Sequence, residues 1–94
     1  MVRRSNAVSV AQGTLVANTS TQVFAAQQNR SYLEIVNTHA TLAIDIMFGA
    51  ASVNGQGVRL PAGQRVFYTA DTYVHLGTVN VISTGTATYQ AVQG

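Results

Sequence analysis

The chain has 94 residues, enough for one domain, and at this size only about two-thirds of the unfolded surface is buried, so its own core is modest. Charged residues are 9% of the chain, against about a quarter in an average soluble domain, and a net charge of +2 is too small and too dispersed to argue for nucleic-acid binding. Cysteine is absent, which excludes disulfides and thiolate metal sites, and no stretch approaches the length of a bilayer span, so no membrane partner is expected.

A surface this poor in charge must be covered by Ser, Thr, Asn, Gln and Ala, and it lacks the like charge that discourages association. The composition therefore predicts that much of it is buried in an assembly. Lysine is absent; Arg3, Arg4, Arg30, Arg59 and Arg65 stand against Glu34, Asp45 and Asp71. Arginine's planar, weakly hydrated fork suits interfaces better than lysine does.

Residues 1–6 form a polar, basic arm ahead of a single domain over 7–94. Arg3 and Arg4 are followed by no apolar run, so the arm is not a secretion signal, and synthesis in a cytoplasm is expected. The arm is predicted to reach onto a neighbouring subunit, with Arg3 and Arg4 pairing there. Residues 7–17 read as a strand broken near Gln12-Gly13, and 21–25 as a second short strand after the turn Asn18-Thr19-Ser20.

The clearest pattern runs from Arg30 to Gly49 and reads as a β-hairpin taken as the folding centre. Leu33 and Ile35 share one face of the first strand, opposite Tyr32, Glu34 and Val36. After a turn at Asn37-Thr38-His39-Ala40, Leu42, Ile44, Ile46 and Phe48 share a face opposite Ala43, Asp45 and Met47. That alternation predicts a core of Leu33, Ile35, Leu42, Ile44, Ile46 and Phe48, with Asp45 on a tolerant outer face.

The glycines of 49–57 suit a long crossing between sheets, and Val58-Arg59-Leu60 reads as an edge strand ended by Pro61. Residues 64–69 alternate again, with Arg65, Phe67 and Thr69 opposite Val66 and Tyr68. Residues 73–76, 79–83 and 87–92 complete a set of about eight short strands, and the turn spacing predicts an all-β antiparallel sandwich or small barrel.

Catalytic chemistry finds little footing. His39 and His75 are the only candidate bases, and neither shares a motif with an acid and a nucleophile. Asp45 and Asp71 lie far apart in sequence, no His-x-His pair exists, and the 49–57 glycines are followed by a strand rather than by the helix a phosphate cradle needs. The expectation is a non-enzymatic protein without metal or cofactor. Tyrosine combines an apolar face with a polar tip, so Tyr68, Tyr73 and Tyr89, with Arg59 and Arg65, are the candidate interface residues.

Four blocks, Ser20-Thr21-Gln22-Val23, Asn29 through Asn37, Phe48-Gly49 and Gly57 through Gly63, resemble small virion proteins of tailed bacteriophages, particularly head-decoration or cement proteins and related head-fibre modules. The resemblance implies a jelly-roll-like sandwich. It further implies a homotrimer on the outer capsid surface, at three-fold or quasi-three-fold positions, bound to the major capsid protein and clamping neighbouring capsomers. A tail, neck or baseplate component and a carbohydrate-binding module are the alternatives.

Overall fold

The computed structural model describes residues 9–69 and 74–94. Eight antiparallel strands are present: β1 (Ser9–Thr14), β2 (Thr21–Phe24), β3 (Tyr32–Asn37), β4 (Ile44–Phe48), β5 (Val58–Leu60), β6 (Arg65–Thr69), β7 (Val79–Ile82) and β8 (Thr88–Gln93). They form two four-stranded sheets of order β1-β8-β3-β6 and β2-β7-β4-β5. This interleaved order is that of a jelly roll, the double-sheet solution that packs two Greek keys face to face. The first and last strands pair with each other, and only β4 and β5 are joined within one sheet.

The core lies between the sheets. Leu33 and Ile35 from β3 meet Ile44 and Ile46 from β4 in a cluster with Leu15, Phe24, Leu60, Val79, Val81, Ala87 and Ala91. Of the predicted core, Leu33, Ile35, Ile44 and Ile46 are fully buried, while Leu42 and Phe48 pack against the cluster half-buried.

The hairpin between β3 and β4 does not exist. The two strands lie in different sheets and face each other across the core, β3 pairing with β6 and β8, and β4 with β5 and β7. Alternation specifies which side of a strand is buried and is silent on which strand lies alongside. The crossing is pinned by the buried Asn37, whose Nδ2 donates to the carbonyls of Leu42 (2.7 Å) and Leu60 (3.0 Å) while its Oδ1 accepts from the His39 amide (3.0 Å). His39 Nδ1 in turn accepts from the amides of Thr41 and Leu42.

The 49–57 segment is likewise corrected. It joins two neighbouring strands of one sheet, with Ile44, Asp45 and Ile46 opposite Leu60, Arg59 and Val58. Instead of crossing, it folds back as a flap over the outer face of its own sheet. Ser52 Oγ donates to the Asn80 carbonyl (2.7 Å), Asn80 Nδ2 to the Ala50 carbonyl (2.7 Å), and the Gly55 amide to Asp45 Oδ2 (2.8 Å). Gly57, at φ +84°, lies where a Cβ would strike the Ile46 carbonyl, so only glycine closes the flap.

Asp45 is therefore not on a tolerant face: it is 3% exposed, accepts from Gly55, and pairs with Arg59 at 3.2 Å. Two smaller readings change as well. β1 runs through Gln12-Gly13 with unbroken pairing to β8, Tyr89 covering Gly13. Residues 74–76 are not strand, because the carbonyls of His75 and Leu76 accept from Arg30 and from the Gln27 amide rather than from a ladder neighbour.

Candidate functional site

The two outer faces of the sandwich are unlike. On the β2-β7-β4-β5 side three outward residues, Asp45, Asn80 and Ile82, are buried at 3, 7 and 5% exposure, the first two held under the flap, while Gln22 and Arg59 at the sheet's two edges are exposed. On the β1-β8-β3-β6 side none of the outward residues is buried. Register places Val10, Val92, Glu34 and Phe67 in one row straight across that sheet, with Gln12, Gln90, Val36 and Arg65 in the next. Val10 is 58% and Phe67 54% exposed. Tyr32 stacks on Phe67, ring centroids 6.2 Å apart and planes 9° from parallel. Glu34 and Arg65 pair at 3.4 Å among these apolar groups. This is a mixed surface, apolar along the row from Val10 to Phe67 with Tyr32 and Val36, polar at Gln12 and Gln90, and carrying one carboxylate and one guanidinium, the make-up of a recognition patch with a few orienting charges.

One end of the sandwich holds a second feature. Arg30, 3% exposed, donates from Nε to Gln93 Oε1 (2.7 Å), from Nη1 to the carbonyls of His75 (2.5 Å) and Gly77 (3.0 Å), and from Nη2 to the Ala25 carbonyl (2.9 Å). Burial pushes its pKa down from the ordinary arginine value. Above this clamp His75 stacks on Phe48, centroids 3.7 Å apart, and both meet the Tyr68 ring edge-on. Phe48, Gly49, Val74, His75, Leu76 and Gly77 line an open depression of about 430 Å³ there. Among the described residues the lining offers one imidazole, His75, with the Tyr68 ring edge-on against it.

Burial first, and then the positive Arg30, push the His75 pKa below its ordinary value, and burial raises that of Tyr68. The sign of the linked stability follows. The unfolded chain takes up a proton at His75 near pH ~6.5 and the folded one only at lower pH. Stability is therefore full above about pH 6.5 and is lost as pH falls toward the depressed folded value. Denaturant midpoints measured from pH 8 to 5 should fall less for His75→Phe, which keeps a ring on Phe48 without the titration; parallel curves for parent and variant would refute this origin.

The predicted interface residues are not brought together. Tyr68 and Tyr89 point between the sheets, opposite Leu33 and Asn37 in the ladder and half-buried. Arg59 is held by Asp45 on the flap side, and Arg65 is on the bare face. Arg3, Arg4 and Tyr73 lie outside the described residues. The residues that do cluster, Val10, Tyr32, Val36, Phe67 and Val92, left one sequence signal: the 64–69 alternation sets Phe67 on the same side as Arg65, an aromatic on the polar side of its strand. Arg30 left none, being one arginine in a polar loop. No three His, Asp or Glu among the described residues are grouped to hold a metal ion. No family model, curated protein or solved structure matches the chain.

Proposed function

We propose that this protein is a non-enzymatic structural component of a bacteriophage particle, a head-decoration protein that binds the major capsid protein on the outer surface and stabilises contacts between capsomers. The observation that carries this reading is the inequality of the two outer faces. Among the described residues the flap covers the centre of one face, while on the other Phe67 and Val10 are more than half exposed, a surface suited to a partner. A composition with 9% charged residues supports the same reading, since association meets little like-charge resistance. The jelly roll is an architecture that viral capsid proteins use, which supports a virion role.

In this reading the mechanism is mechanical. Packaged DNA pushes a head outward, and a small sandwich spanning the joint between capsomers adds buried area that must be lost before the joint opens. Fully burying a phenylalanine is worth about 1.5–3 kcal/mol, and central aromatics dominate such contacts. Grouping as the homotrimer that the resemblance implies would repeat that gain around a three-fold position.

Phe67→Lys tests the reading, because a lysine directly opposite Glu34 forms a favourable cross-strand pair on a free face, while a charge inside a buried contact is not tolerated. Purified variant should unfold at the parent's temperature yet co-sediment with undecorated phage heads at least about tenfold more weakly, the equivalent of roughly 1.4 kcal/mol. Undiminished co-sedimentation of the variant would take the contact off this face, and a parent that does not sediment with heads at all would end the decoration reading.

A further inference from the structure

The flap carries a chemistry that an assembly role does not use. At its tip Asn54 is followed by Gly55, which stands at φ +82° with open space where a side chain would be. In such a pair nothing on the glycine hinders its backbone nitrogen from attacking the preceding side-chain carbonyl carbon. The Gly55 N to Asn54 Cγ bond forms, the Cγ–Nδ2 bond breaks, and ammonia leaves with the proton that Gly55 nitrogen gives up. Water then opens the succinimide ring at either carbonyl, yielding aspartate or isoaspartate. This is one reason asparagine counts among the thermolabile residues.

Three features of the fold oppose each stage of that reaction. The Gly55 amide, the attacking group, is tied to the sheet by a hydrogen bond to Asp45 Oδ2 at 2.8 Å, and Asp45 is itself fixed by Arg59. The departing amide, Asn54 Nδ2, donates to Asn18 Oδ1 at 2.8 Å. Negative charge would develop on Asn54 Oδ1, which is buried and receives no hydrogen bond, so the tetrahedral intermediate gains no stabilisation there. The attacking atom, the leaving group and the developing oxyanion are thus all placed against reaction.

We propose that Asn54-Gly55 is a latent self-modification site, kept closed by Asp45 through the Gly55 amide, and opened when the flap lets go. Conversion to isoaspartate puts an extra methylene into the main chain between the flap's anchors at Ser52 and Gly57. The Gly55 amide then no longer meets Asp45, and the outward Asp45 and Asn80 lose their cover. Because the ammonia is lost, asparagine is not regenerated, and the flap behaves as a one-way record of how often it has opened.

The test follows residue 54 by peptide mapping and mass spectrometry during incubation of the whole protein at neutral pH, beside a free peptide of residues 50–58. The folded protein should convert at least about tenfold more slowly than the peptide, equivalent to roughly 1.4 kcal/mol of barrier. Asp45→Ala should move the rate most of the way to the peptide's while circular dichroism still shows the sandwich. If that variant fails to fold, Arg59→Ala, which loosens the carboxylate without deleting it, should accelerate conversion in the same direction. A parent that converts as fast as the peptide, or folded Asp45→Ala or Arg59→Ala that converts no faster than the parent, overturns the proposal.

Discussion

Ile46→Asp should yield no folded protein. Ile46 is fully buried at the centre of β4, flanked by Val58 on β5 and Val81 on β7, with the inward side chains of β3 closing the cluster from the opposite sheet. The exchange forfeits about 2–5 kcal/mol of apolar packing and places a carboxylate where no donor faces it, which costs several kcal/mol more. Together these match the roughly 5–15 kcal/mol that holds a domain of this kind folded. Far-UV circular dichroism and soluble yield read the outcome, with Ile46→Val, expected to cost about 1 kcal/mol, as the control. A cooperative melt of Ile46→Asp near the parent's would mean that β4 presents its other face to the core.

Arg30→Ala should be the most damaging change at a polar position, by about 3–5 kcal/mol. The guanidinium is buried, and its four hydrogen bonds end on three carbonyls and one glutamine side chain, so the charge is met by oriented dipoles. Deleting it leaves the carbonyls of Ala25, His75 and Gly77 turned inward around a void. Arg30→Lys should recover only part of the loss, because a compact ammonium does not span acceptors that a planar fork reaches together. Urea midpoints measure the cost, and hydrogen exchange should quicken at the Gln27 amide, which donates to the Leu76 carbonyl across the same junction. A loss under about 1 kcal/mol would show that the loops hold together without the clamp.

Burial was legible in the sequence and partnership was not. The alternation of Leu33, Ile35, Ile44 and Ile46 identifies the inward side chains because two-residue periodicity is a local property of an extended chain. Whether β3 pairs with β4 or faces it across a core depends on the Asn37 crossing, whose three hydrogen bonds reach residues 2, 5 and 23 positions away. Asp45 shows the same limit. Its outward direction followed from period two, yet its burial depends on a glycine-rich flap that periodicity cannot see. The bare face shows it once more: Phe67 could be placed with Arg65 from the alternation of one strand, but joining it to Val10 requires knowing that β1, β8, β3 and β6 lie side by side.

The nesting of the strands bears on how the chain reaches this state. β4 pairs with β5, β3 with β6, β2 with β7 and β1 with β8, each pair enclosing the one before. Closing a loop costs more entropy the longer it is, so the innermost pair is the least expensive to form and each later pair closes a shorter effective loop once its predecessor is in place. Such non-local pairing makes for slow folding. It also fixes what stands open during synthesis. β8 is made after the other seven strands, yet it sits between β1 and β3, so those two strands hold unpaired edges with no shared neighbour until it arrives. Gln12 of β1 and Glu34 of β3, polar among the outward side chains of these two strands, then act as gatekeepers against edge-to-edge pairing between nascent chains.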